Sequence, residues 1–186
     1  MKTIAWSSLG DAAERGRRRP GTADALPDRR RHLRLILYRV SNVADLTGKG
    51  GELADGRWHT RLQGRRVVYL SDHPALCLLE AIVHVSREEE LPDTYQLLSV
   101  DLSDDLIEPV GQNLLPEDWQ FDPTLTQRIG NAWLLEGRSA GLLVPSVIVP
   151  VAHNCLFNPL VTAVADLRPE VVGRFPFDAR LLPRRP

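Results

Sequence analysis

Glu80 stands in an apolar run, Cys77-Leu78-Leu79-Glu80-Ala81-Ile82-Val83, within a stretch that reads as a helix from about 73 to 86. Leu76, Leu79 and Val83 form a stripe at i, i+3 and i+7, and Glu80, at i+4, falls on it. A carboxylate buried without compensation costs several kcal/mol. Glu80 therefore needs a cationic or hydrogen-bonding partner, or a place on the wall of a pocket. A structural ion pair with Arg39 or Arg57 is one reading, and a pocket carboxylate is the other.

Other residues carry similar alternatives. Arg39 is the sole charge in Leu35-Ile36-Leu37-Tyr38-Arg39-Val40, where strand alternation sets it with Leu37 and against Tyr38 and Val40. It is either an anion-binding group or a surface charge at the end of a strand. Arg57 follows Gly56 in a flexible stretch, where backbone freedom lets a guanidinium grip an anion bidentately, although a solvated arginine fits as well. Tyr69 closes a β-prone run just upstream of the Glu80 helix and is either a core aromatic or a stacking platform. Ser146 lacks the Gly-x-Ser-x-Gly frame of a hydrolase nucleophile and reads as a hydrogen-bond donor to a ligand. No Gly-x-Gly-x-x-Gly or phosphate-loop lysine motif is present, and the five histidines show no metal-ligand spacing.

The elements that must position these groups follow from pattern. Strands are expected at 35–40, 66–70, 95–102 and 141–149, with Pro145 suggesting an edge or a bulge. Ser71 and Asp72 are N-cap candidates ahead of Pro74. Asp122-Pro123 repeats the signal before a second helix ending near Gly137, whose stripe is Leu125, Ile129, Ala132 and Trp133. Cys77 and Cys155 read as small buried hydrophobes suited to a reducing cytoplasm.

Composition sets the outer bounds. At 186 residues, 43% hydrophobic and 25% charged, the chain fits one ordinary globular domain. A formal charge of −1 gives no global field for a polyanion. That sum hides an asymmetry: residues 1–34 carry a net +5 and the remainder −6. The leader, with Arg17-Arg18-Arg19-Pro20 and Pro27-Asp28-Arg29-Arg30-Arg31, is expected to be loosely packed, either as a solvated extension or as a nucleic-acid tail. No apolar run suits a membrane span or a signal peptide, so a cytoplasmic location is expected.

The order Leu37-Tyr38-Arg39-Val40-Ser41, Gly56-Arg57-Trp58-His59, Val67-Val68-Tyr69-Leu70, Leu79-Glu80-Ala81-Ile82-Val83-His84, Ile129-Gly130-Asn131-Ala132-Trp133, Val144-Pro145-Ser146, Asn154-Cys155-Leu156-Phe157-Asn158-Pro159 and Phe177-Asp178-Ala179-Arg180-Leu181 resembles the RES-domain family. Its members are toxins of bacterial type II toxin–antitoxin modules. The likeness spans about residues 35–182, so 35–186 is expected to be the RES domain and 1–34 an extension. Asp55-Gly56-Arg57-Trp58 stands where many members have Gly-Gly-Arg-Trp, a departure that keeps the arginine.

The resemblance implies an α+β fold, a mixed or antiparallel β-sheet core flanked by helices, similar to ADP-ribosyltransferases. It also implies an attack on NAD+ as substrate, with no metal and no separate cofactor. Glu80 would stabilise the oxocarbenium-like transition state, Arg39 and Arg57 would hold the pyrophosphate, Tyr69 would wall the nicotinamide, and Ser146 would orient the ribose or a phosphate. The catalytic set so implied is Glu80, Arg39 and Tyr69. The implied partner is an Xre-like helix-turn-helix antitoxin whose C-terminal part plugs the pocket, in a complex of several toxin copies, with DNA bound only through the antitoxin. Transfer of ADP-ribose to a macromolecule is the second reading. A nucleic-acid-binding or RNA-cleaving module is the third.

Overall fold

In a computed structural model, residues 33–85, 93–174 and 177–181 are described. The expected leader lies outside these residues, apart from Leu33 and Arg34 at its end. The elements in chain order are β1 (Arg34–Ser41), α1 (Gly50–Leu53), β2 (Val68–Ser71), α2 (Pro74–Ile82), β3 (Gln96–Ser103), β4 (Ile107–Pro109), α3 (Pro123–Glu136), β5 (Gly141–Pro145), β6 (His153–Phe157) and β7 (Glu170–Arg174). The strands form one mixed sheet in the order β4-β5-β6-β2-β1-β3-β7. Only β4 and β5 run parallel. The expected α+β class is thus observed. Among the described residues no helix is long and apolar enough to cross a membrane.

The sheet divides near its middle. β1 and β3 pair continuously from Arg34↔Ser103 to Ser41↔Gln96, whereas β1 and β2 share the single pair Tyr38↔Ser71. Beyond that pair the ladder stops, and the Arg39 guanidinium enters the gap, its Nη1 donating to the Tyr69 carbonyl at 3.4 Å. One core cluster, with Leu37, Val68, Leu70, Val100, Leu102 and Phe157, packs on one face of the sheet. A second joins Trp58, Val67, Trp133, Leu142, Val144 and Leu156 and packs α3 on the opposite face, since along β5 and β6 these residues alternate with Leu143, Cys155 and Phe157 of the first cluster.

Several expected elements shift in detail. α2 ends at Ile82, with Val83 as its C-cap, four residues short of the expected end. Its N-cap is His73, whose Nδ1 accepts from the Ala75 amide at 3.1 Å, while Asp72 Oδ2 accepts from the His153 amide at 2.9 Å. The buried side of α2 is Leu76 and Cys77, while Leu79 and Val83 of the expected stripe are exposed. β5 stops at Pro145, which pairs with His153 of β6 but lies beyond Leu143, the last residue paired with β4, so on that side it is locally at an edge, as expected. β4, β6 and β7 had no counterpart among the expected strands.

α3 is where helix packing shapes the rest of the chain. Asp122 caps it by accepting from the Leu125 amide at 2.9 Å, and Gly137 ends it in the left-handed region at φ 58°, as the sequence indicates. The buried stripe, however, is Thr126, Gly130 and Trp133, and Ala132 points outward. This small and polar stripe holds the loop at 56–60. Thr126 Oγ1 donates to the Arg57 carbonyl at 2.7 Å, Gln127 Nε2 to the Gly56 carbonyl at 3.0 Å, and Asn131 Oδ1 accepts from the Thr60 amide at 3.1 Å. Gly130 permits the approach, because a Cβ there would lie 1.9 Å from the Trp58 carbonyl oxygen.

Gly130→Ala should therefore destabilise the fold by about 1–3 kcal/mol, although alanine normally gains ~1 kcal/mol over glycine inside a helix. Gly50→Ala, whose added Cβ meets nothing within 4 Å, should stay within about 0.5 kcal/mol of the parent. Urea midpoints measure both, and matching midpoints would remove the Trp58 contact as a constraint.

Candidate functional site

Glu80 projects from α2 over the ends of β2, β6 and the turn after β5. Its Oε1 accepts from Ser146 Oγ at 2.8 Å and from Asn154 Nδ2 at 2.6 Å. Asn154 is in turn fixed by Ser71 Oγ, which donates to its Oδ1 at 2.8 Å; the two residues face each other in the β2–β6 ladder. Ser146 Oγ accepts from the amides of Ile148 and Val149, both at 3.1 Å. With its acceptor capacity facing those amides, the Ser146 hydroxyl proton is directed to Glu80. The carboxylate thus has the hydrogen-bonding partners that its apolar surroundings demand, and the ion pair with Arg39 or Arg57 does not form.

Three adjoining cavities meet at this point. The first, about 450 Å³, is lined by Asp55, Gly56, Arg57, Trp58, Tyr69, Glu80, Val83, His84, Val147, Ile148 and Asn154. The second, about 480 Å³, runs from Arg39 and Ser41 past the glycines at 48–51 to His59 and Tyr69. The third, about 210 Å³, lies between Arg39 and Glu80 with Ser71, Cys77, His84 and Asn154. Tyr69 borders all three. Its hydroxyl accepts from the Trp58 amide at 3.0 Å and lies 2.9 Å from His59 Nδ1. Burial raises its pKa, so the phenol keeps its proton at any ordinary pH.

The cations are held in place but incompletely satisfied. Arg57 donates to the carbonyls of Trp119 and Gln120, in the turn before α3. Trp119 leans on Trp58 with ring centroids 5.7 Å apart. Burial lowers the pKa of Arg39, an arginine that nonetheless stays charged. Among the described residues the buried side-chain polar atoms without a hydrogen bond are Arg39 Nε, Arg57 Nε, His59 Nε2 and Asp72 Oδ1. Three of the four belong to residues lining these cavities, which is where a polar ligand would satisfy them.

The structure thus brings Glu80, Tyr69, Arg57 and Arg39 to one cleft and sets Ser146 behind it. Ser146 is fully buried and lines none of the three cavities, so its hydroxyl meets Glu80 rather than open space. Asn154, Ser71 and His59 were not singled out as site residues. Asn154 stands beside His153 at the polar start of β6, ahead of Cys155-Leu156-Phe157, so no isolated polar residue in an apolar run marks it. Cys77 and Cys155 are buried free thiols, as expected, pushed up to about 11 and about 12 by burial.

The class of domain is a split mixed sheet that sets a hydrogen-bonded carboxylate and two arginines around one cleft. The chain belongs to the RES-domain family, whose pattern, described as RES domain, matches residues 36–179. It is 40% identical over 126 residues to a protein named Toxin Res from Pseudomonas putida, covering 67% of this chain and 85% of that one. It is 38% identical over 132 residues to a Toxin Res from Photorhabdus laumondii, covering 68% and 83%. A protein named Prs ADP-ribosylating toxin from a Sphingobium species is 31% identical over 149 residues, covering 77% and 91%.

His59 gives the site a pH dependence. Burial is the main cause that lowers its pKa below the ordinary 6.5, while the carbonyls of Ala54 and Gly51 oppose that shift. Between the folded and unfolded values the unfolded chain binds more protons. The stability His59 contributes is therefore complete above pH 6.5 and drains away as pH falls towards the folded value. Thermal melts at pH 7.5 and 5.5 should show a larger drop in Tm for wild type than for His59→Gln, which does not titrate; equal drops would contradict the assignment.

Proposed function

We propose that the chain is the toxin of a toxin–antitoxin pair and that it cleaves the nicotinamide–ribose bond of NAD+. The observation that carries this reading is the Glu80 carboxylate, braced on one oxygen by Ser146 and Asn154, beside Tyr69 and two arginines with unsatisfied nitrogens. The toxin names of its relatives support the same reading.

The chemistry follows from those groups. The C–N bond to nicotinamide breaks with its electron pair going to the ring nitrogen, so the base leaves neutral and needs no strong acid. Positive charge develops on the ribosyl carbon and ring oxygen, and a fixed carboxylate stabilises it. Bracing one oxygen of Glu80 leaves the other for a ribose hydroxyl. Arg39 and Arg57 would take the pyrophosphate, and Tyr69 would stack on the nicotinamide. Water then adds to the ribosyl carbon, giving ADP-ribose and a proton, or phosphate adds in its place. Ser146 acts through Glu80, which revises its expected contact with ribose or phosphate.

A second reading, transfer of ADP-ribose to a macromolecule, is favoured by the name of the Sphingobium relative. For the partner, Val83, Val147 and Ile148 give the first cavity an exposed apolar rim, which suits a plugging segment from an Xre-like antitoxin.

Purified protein should consume NAD+, with or without phosphate. Glu80→Gln should lose about 10²-fold or more in kcat. Ser146→Ala and Asn154→Ala should each lose about tenfold, the scale of one buried hydrogen bond to a charged group. Label from NAD+ appearing on protein rather than in free ADP-ribose would favour the transferase reading. Intact NAD+ together with undiminished toxicity of Glu80→Gln would sink both.

A further inference from the structure

We propose that His59 is a positioning residue for this cleft: its Nδ1 accepts the hydroxyl proton of Tyr69, and that bond fixes the Tyr69 ring and latches the turn carrying Arg57 and Trp58. The kinetic part of this inference rests on the NAD-directed reading above.

The argument begins with proton counting. The Tyr69 oxygen already accepts the Trp58 amide at 3.0 Å, and the phenol has one proton to give. His59 Nδ1 lies 2.9 Å away, with the rings tilted at 47° and their centroids 5.6 Å apart. Accepting that proton requires the neutral imidazole with its hydrogen on Nε2. In that tautomer the Tyr69 oxygen accepts from one donor, the Trp58 amide, and its own proton has an acceptor in Nδ1. The opposite tautomer would aim two N–H groups at the Tyr69 oxygen and leave its proton without this acceptor.

Gly56 supplies an independent observation. A Cβ at that position would lie 2.5 Å from the Tyr69 hydroxyl and 2.6 Å from His59 Nδ1, so the absent side chain makes room for the pair. The Gly56 amide donates to the His59 carbonyl at 2.9 Å, which closes the turn over Arg57 and Trp58. The latch therefore connects a wall shared by the cavities to the loop holding one of the two arginines. Loss of the His59 acceptor should loosen substrate positioning before it affects the bond-breaking step.

The test compares wild type, His59→Asn, His59→Leu, Tyr69→Phe and the double variant His59→Leu/Tyr69→Phe, with folding checked by thermal melts. His59→Leu should raise the KM for NAD+ about tenfold, the effect of about one lost hydrogen bond, with kcat changed less than about threefold. His59→Asn, which keeps an acceptor near Nδ1, should restore most of it. In the Tyr69→Phe background His59→Leu should add nothing, because the hydroxyl it serves is gone. Two-bond ¹H–¹⁵N NMR correlations of the His59 ring read the tautomer without any turnover. A hydrogen on Nε2 supports the latch and a hydrogen on Nδ1 overturns it, as does an undiminished His59→Leu effect on the Tyr69→Phe background. A wild type that leaves NAD+ intact defeats the NAD reading instead, and the tautomer then decides the latch alone. Should His59→Leu fail to fold, His59→Asn and the tautomer still decide.

Discussion

Adjacent strands that stop pairing leave backbone groups in need of partners, and the split between β1 and β2 after Tyr38↔Ser71 creates that need at the centre of the sheet. The guanidinium of Arg39 partly meets it through the Tyr69 carbonyl. That contact makes Arg39 both a structural filler and a cation at the cleft. The cavities around Tyr69 exist because the ladder does not close, so the site is continuous with the fold's main irregularity.

Glu80 shows how a half-buried acid is held without a cation. Its neutral partners, Ser146 and Asn154, come from the end of β5 and from β6, and each is fixed by another group: backbone amides for Ser146 and the Ser71 hydroxyl for Asn154. A cationic partner would have neutralised the carboxylate and consumed the charge that a developing positive centre could use. A neutral cradle satisfies lone pairs and keeps the charge available.

Much of this was legible in the sequence, for identifiable reasons. Glu80 and Arg39 stand out because a charge inside an apolar run has few acceptable destinations. Asp122-Pro123 and Gly137 bracket α3 because capping and the left-handed region are local properties. The stripe of α3 was misjudged, since Thr126 and Gly130 are buried for hydrogen bonding and close approach rather than for hydrophobicity. Likewise α2 ends before its last expected turn, and Leu79 and Val83 lie exposed, Val83 on the wall of the first cavity. β4 and β7, of three and five residues, are defined by distant neighbours, which no local pattern encodes. His59 has no metal-ligand spacing to mark it in the sequence, and its contact is with a tyrosine ten residues on.

The hold of α3 on the loop at 56–60 also bears on entropy. Fixing one residue's backbone costs about 1–2 kcal/mol, and a binding loop that orders only with its ligand subtracts that cost from affinity. Here Thr126, Gln127, Gly130 and Asn131 order the loop as part of folding. Arg57 is thereby preorganised, and the rigidity of one helix is spent on a side chain that the helix does not itself contain.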